Sequence, residues 1–130
     1  MQTETRLMLR VVKDEAVAPA DALAAVRAEV GRWLNVSIEP GVMPGSLEFQ
    51  HHGRVLGSVY PVLGGEPAAD LIVPPATADA LIAQRRARAN QLVPAPGWIT
   101  VPLGSDAEIA SAISLFRDSY ERAERPLRLV

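Results

Sequence analysis

An α+β fold is what this sequence predicts: a two-layer sandwich, with one mainly antiparallel sheet and three helices in the order (β)αββββαβα. Three observations predict it. Between Val36 and Val73, short apolar runs are separated by Pro-Gly, His-Gly and Gly-Gly turn signals, which are long enough only for antiparallel connections. Three longer stretches, opening near Pro19, Thr77 and Ser105, repeat their apolar residues at helical spacing. The last of these is fed directly by a strand, Trp98 to Leu103, through a tight turn at Gly104. One sheet with helices covering one face is the arrangement that buries all of these apolar stripes. At 130 residues the chain fits a single domain, 1–130, with 1–14 as an extended arm or edge strand.

Each element has its own justification. Leu7, Leu9 and Val11 alternate with Met8, Arg10 and Val12, the pattern of the arm. Pro19 and Asp21 open the first helix, because proline fits the first turn and an acidic residue suits the positive end of the helix dipole. Leu23, Val26, Val30, Trp33 and Leu34 make its apolar stripe, which stops near Asn35. Val36 to Ile38 is a strand, followed by Pro40-Gly41 and Pro44-Gly45 turns. Ser46 to Gln50 alternates, and His52-Gly53 turns the chain into Arg54–Tyr60. In that strand Arg54, Leu56, Ser58 and Tyr60 share one face, and Val55, Gly57 and Val59 the other. A loop, Gly64-Gly65-Glu66-Pro67, leads to a strand at Asp70–Val73, ended by Pro74-Pro75. Thr77 caps the second helix, whose clearest apolar residues are Leu81 and Ile82 and whose tail is basic: Arg85, Arg86 and Arg88. Ser105 and Glu108 have the spacing of a capping box, and Ile109, Ile113, Phe116 and Tyr120 form one face of the final helix.

Composition removes several functions. The net charge of -2 argues against a nucleic-acid binder, which would show a basic excess. With no cysteine, thiolate catalysis, disulfides and cysteine-based zinc sites are excluded. The only histidines, His51 and His52, are adjacent; on a strand they would point to opposite faces and could not chelate one ion, so no metal and no cofactor is expected. The first residues lack an apolar leader and no run approaches membrane-spanning length, so no membrane partner is expected and the cytoplasm is the default location.

What remains is a surface. Arg54, Ser58 and Tyr60 on one strand, with Trp98 and Thr100 on another, mix amphipathic rings with a few hydrogen-bonding groups, which is the chemistry of a small-molecule pocket. The same residues would equally serve a sheet face that forms a homodimer or docks another chain. From the residues alone both readings stand.

Several short segments, in order, resemble a known family: the luciferase-like domain of fungal luciferases and its small bacterial relatives. The resemblance covers roughly Gly45 to Arg125. It is carried by Leu47-Glu48-Phe49, Gly53-Arg54-Val55-Leu56-Gly57, Ala69-Asp70-Leu71-Ile72, Val93-Pro94, Gly97-Trp98-Ile99-Thr100-Val101 and Ile113 through Arg122. It implies an α+β domain that binds a small organic molecule, aromatic or polyketide-like, with acid–base, cyclisation or oxygenation chemistry that uses no metal or flavin. Asp70 holds the family's usual acidic position, while Ser58 and Tyr60, then Asn90 and Gln91, stand where the family pattern carries histidines. The candidate site is therefore Tyr60 and Asp70 as an acid–base pair, with Arg54, Ser58, Asn90, Gln91, Trp98 and Thr100 around the ligand. Whether the chain is an enzyme stays open at this point.

Overall fold

The computed structural model describes residues 17–63, 65–91, 93 and 95–124. The arm read over 1–14 lies outside them. Helix α1 spans Pro19–Val30, with proline in its first turn and Asp21 beside it, and buries Ala22, Leu23, Val26 and Val30. It ends earlier than its apolar spacing suggests. The chain leaves the helix at Gly31 and reverses at Asn35, which has φ 62°. Trp33 still reaches the core, but Leu34, off the helical path, is 73% exposed.

Six strands follow: β1 Val36–Pro40, β2 Leu47–His51, β3 Arg54–Leu63, β4 Glu66–Ile72, β5 Arg88–Ala89 and β6 Trp98–Pro102. They form one sheet in the order β1-β2-β3-β4-β6-β5, with every pairing antiparallel. The α+β expectation holds, with β5 as an additional two-residue edge strand that the sequence pattern did not reveal. Helix α2 spans Pro75–Ala83 and starts at proline rather than at a Thr77 cap. Pro75 has the φ a first helical turn needs and lacks the N–H that would otherwise be orphaned there, so no side-chain cap is required. The predicted basic tail does not continue this helix: Arg85 takes φ 58° and Arg88 belongs to β5.

The β2–β3 hairpin turns on His52 and Gly53, at φ 51° and 75°. Two consecutive left-handed residues give the turn whose twist matches that of the flanking strands. Beyond it the register slips: Phe49 opposes Gly57, but Gln50 opposes Val55, leaving Leu56 as the extra residue of a β-bulge. Leu56 is buried as a result. The bulge breaks simple alternation along β3.

Across the sheet, Phe49, Gly57, Leu71 and Ile99 lie in one row of paired residues. Helix α3, Asp106–Glu124, packs on this row. A Cβ at Gly57 would lie 2.7 Å from Cε1 of Phe116 and 2.5 Å from the carbonyl oxygen of Asp70, so only glycine lets the helix seat at this depth. The Phe49 and Phe116 rings meet edge to face with centroids 5.5 Å apart. Ile99, Val101 and Leu103 are buried in the same core, as the pattern of β6 predicts. At the start of α3, the Glu108 N–H donates to Ser105 Oγ at 3.2 Å, and Glu108 Oε1 accepts from the Gly104 N–H at 3.0 Å. The capping box is present, with its return bond shifted one residue upstream.

Two stability outcomes follow from this packing. Gly57→Ala should destabilise the fold by about 1–3 kcal/mol through overpacking against Phe116 and the β4 backbone, seen as a lower urea midpoint at unchanged slope. Ser105→Ala should cost about 0.5–2 kcal/mol by removing the cap. An unchanged midpoint in either variant would reject the corresponding contact.

Candidate functional site

Residues that face away from Phe116 alternate with the core row. Glu48 opposes Ser58, Ser58 opposes Asp70, Asp70 opposes Thr100 and Thr100 opposes Arg88, so one line of polar side chains crosses five strands. At its centre Thr100 Oγ1 donates to Asp70 Oδ1 at 2.7 Å. Asp70 is 4% exposed and Thr100 3%. A buried carboxylate needs donors, and Thr100 supplies one from directly opposite on the neighbouring strand. Tyr60, two residues beyond Ser58, is half-buried, with the Ser58 hydroxyl and the Asp70 carboxylate beside its phenol. Burial raises its pKa above the ordinary tyrosine value of 10.0, and the negative charge of Asp70 adds to that rise. Tyr60 thus keeps its proton near neutral pH. On β2, Gln50 donates to Glu48 at 2.7 Å, and at the β5 end of the line Arg88 pairs with Glu66 at 3.3 Å.

The predicted site residues do not all come together. Ser58, Tyr60, Asp70 and Thr100 do. Trp98 opposes Ile72 one step along β6 on the same face and is half-buried. Arg54 does not join them. It opposes His51, whose side chain lies on the helix side with Phe49, and it lines a small cleft of about 150 Å³ with Ser119 and Arg122 of α3. The bulge at Leu56 is the physical reason, because one extra residue carries Arg54 to the opposite face from Ser58. Asn90 extends the β5 register, donating its N–H to the Trp98 carbonyl at 3.2 Å. Its side-chain Oδ1 accepts from the Val93 N–H at 2.9 Å, so it shapes the loop into β6. Gln91 is exposed on that loop. Arg85 and Arg86 line a separate cleft of about 290 Å³ against Glu108 and Ser111, where Arg86 donates to Ser111 Oγ at 2.9 Å.

The histidine expectation needs correction. His51 and His52 do not point to opposite faces, because His52 sits in the left-handed turn rather than on the strand. Their rings lie 4.0 Å apart. His51 Nε2 is 2.8 Å from Glu124 Oε1, and His52 Nε2 is 4.0 Å from Glu124 Oε2. Reading His52-Gly53 as a hairpin turn already implied a positive φ at His52, and that was the signal for this grouping. Nothing in the sequence ties it to Glu124, 73 residues away.

Fold and polar line together define a small α+β domain with a row of polar side chains on the sheet face away from α1 and α3. Residues 62–119, from the end of β3 to the penultimate turn of α3, match the family model described as the Luciferase domain. That match covers a little under half of the chain, includes Asp70, Asn90, Trp98 and Thr100, and bears out the resemblance to a luciferase-like domain. No curated protein and no solved structure matches the chain. No helix among the described residues is long and apolar enough to cross a membrane.

The buried polar line makes two checkable outcomes. Thr100→Val leaves Asp70 Oδ1 without its donor and should destabilise the fold by about 1–3 kcal/mol, measured by urea unfolding. Both tyrosines, Tyr60 and Tyr120, have raised pKa values, chiefly from burial, so the unfolded chain loses phenolic protons at lower pH than the folded one. Their contribution to stability is complete below pH 10 and falls as pH rises through the folded values. Tyrosinate absorbance should accordingly appear at higher pH in the folded protein than in urea, and Asp70→Asn should lower the transition of Tyr60 while leaving that of Tyr120 in place.

Proposed function

We propose that this domain binds a small, flat, hydroxylated molecule, aromatic or polyketide-like, on the sheet face that carries Tyr60, Asp70 and Trp98. The observation that carries the reading is the Tyr60–Asp70–Thr100 grouping: a phenol kept protonated beside a carboxylate that Thr100 orients at 2.7 Å. A bound phenol or enol would meet the group at the half-buried Tyr60 hydroxyl, with the buried Asp70 carboxylate behind it, and Trp98 would stack on its ring. With Asp70 behind it, the Tyr60 hydroxyl can pass a proton to or from an enolic ligand. Such proton transfer, cyclisation or oxygenation is the chemistry we assign to the domain if it is an enzyme. The Luciferase-domain match over 62–119 supports a ligand-binding fold of this kind.

The chain has two tryptophans, so a Trp33→Phe background leaves Trp98 as the single reporter. Titration with flat phenols and hydroxypyrones should quench its fluorescence saturably, and Asp70→Asn should weaken binding at least about tenfold, the loss expected when a charge-assisted hydrogen bond is removed. Equal affinity in Asp70→Asn, or no saturable quenching by any such compound, would contradict the proposal. A concentration-dependent dimer that Trp98→Glu abolishes would instead make this face an interface between two copies.

A further inference from the structure

We propose that His51, His52 and Glu124 form a binding site for one divalent transition-metal ion of the zinc type, at the junction of the β2–β3 turn and the C-terminus of α3. The first support is convergence: one ligand atom from each residue lies within 4.8 Å of the other two. Four-coordinate zinc, with bonds of roughly 2.0–2.1 Å, needs its donor atoms about 3.3 Å apart, so the His51–Glu124 Oε1 pair at 2.8 Å has to part slightly and His52, 4.0 Å from the other carboxylate oxygen, has to move in. His52 and Glu124 are about half exposed, so their side chains can close the remaining gap.

The second support is the proton arrangement around His51. Its Nδ1 lies 3.1 Å from the backbone carbonyl of Asn35, which can only accept. Nδ1 therefore carries the proton, and in the neutral ring Nε2 presents a bare lone pair to Glu124 Oε1, itself an acceptor, at 2.8 Å. One shared hydrogen makes this contact a hydrogen bond, and the same nitrogen and carboxylate oxygen are the atom types through which histidine and glutamate ligate a metal ion. An imidazole whose Nδ1–H is fixed on a backbone carbonyl and whose Nε2 faces a carboxylate has the orientation that ligating histidines adopt.

The surroundings hold this orientation. The His51 side chain is fully buried, and the Tyr120 ring packs 4.3 Å from it. The Tyr120 hydroxyl donates to the Leu34 carbonyl at 3.0 Å, which fixes the ring from the other side. Glu124 lies at the C-terminal end of a 19-residue helix, where the dipole favours a cation. Two imidazoles and one carboxylate, with an open side for water, suit zinc, nickel, cobalt or copper, whereas magnesium and calcium prefer all-oxygen shells.

Tag-free protein titrated with zinc chloride in a calorimeter should take up one equivalent with a micromolar or tighter dissociation constant. Because the chain has only two histidines, cobalt(II) should shift or broaden both sets of imidazole proton resonances and no others of that type. His52→Gln and Glu124→Gln alter half-exposed positions, so both variants should fold, as circular dichroism will report, yet bind zinc at least about tenfold more weakly. Zinc should raise the melting temperature of the parent chain and leave that of the variants unmoved. Absence of saturable uptake of zinc, cobalt, nickel and copper, or undiminished uptake in both variants, would overturn the proposal.

Discussion

The seating of Phe116 over Gly57 is the contact on which the rest of the structure depends. Because Gly57 has no side chain, the ring of Phe116 reaches the backbone of β3 and meets Phe49 and Leu71 on either side. That depth aligns one ridge of α3, Phe116, Tyr120 and Glu124, along the successive inward residues of β2, Phe49 and His51. Residues four apart on a helix stack along one face, and residues two apart on a strand share one side. The hydrophobic contact in the middle thus positions the polar contact at the end.

The same contact defines the opposite face by exclusion. Once Phe49, Gly57, Leu71 and Ile99 turn toward α3, their neighbours Glu48, Ser58, Asp70 and Thr100 must turn away. Asp70 and Thr100 are then the hydrogen-bonded centre of that second face, and Tyr60 joins them because it follows Ser58 by two residues on a regular part of β3. The Arg117 guanidinium, 5.1 Å from the Trp33 ring centroid and 4.9 Å from that of Tyr120, seals the end of α1 against α3.

Much of this was legible in the sequence, and the residues show why. The capping box at Ser105 and Glu108 and the inward set Ile99, Val101 and Leu103 are local patterns, set by spacing alone. Ser58, Tyr60, Asp70 and Thr100 could be grouped because regular alternation holds where they lie. Arg54 could not, since a bulge at Leu56 reverses the phase of its strand and leaves no signature in residue type. Leu34 fails for a similar reason: helical periodicity continues on paper beyond Gly31, where the helix itself stops. The approach of Glu124 to His51 depends on how deeply α3 seats, which is a property of tertiary packing.

The binding surface we propose is the sheet face around Asp70, opposite α1 and α3. Backbone amide shift mapping on isotopically labelled protein, with a panel of flat phenols and pyrones added, tests it most directly. Concentration-dependent shifts should concentrate at Ser58, Tyr60, Asp70, Trp98 and Thr100, with α1 unaffected. Shifts confined to the cleft between Arg86 and Ser111, or to the helix layer, would contradict it.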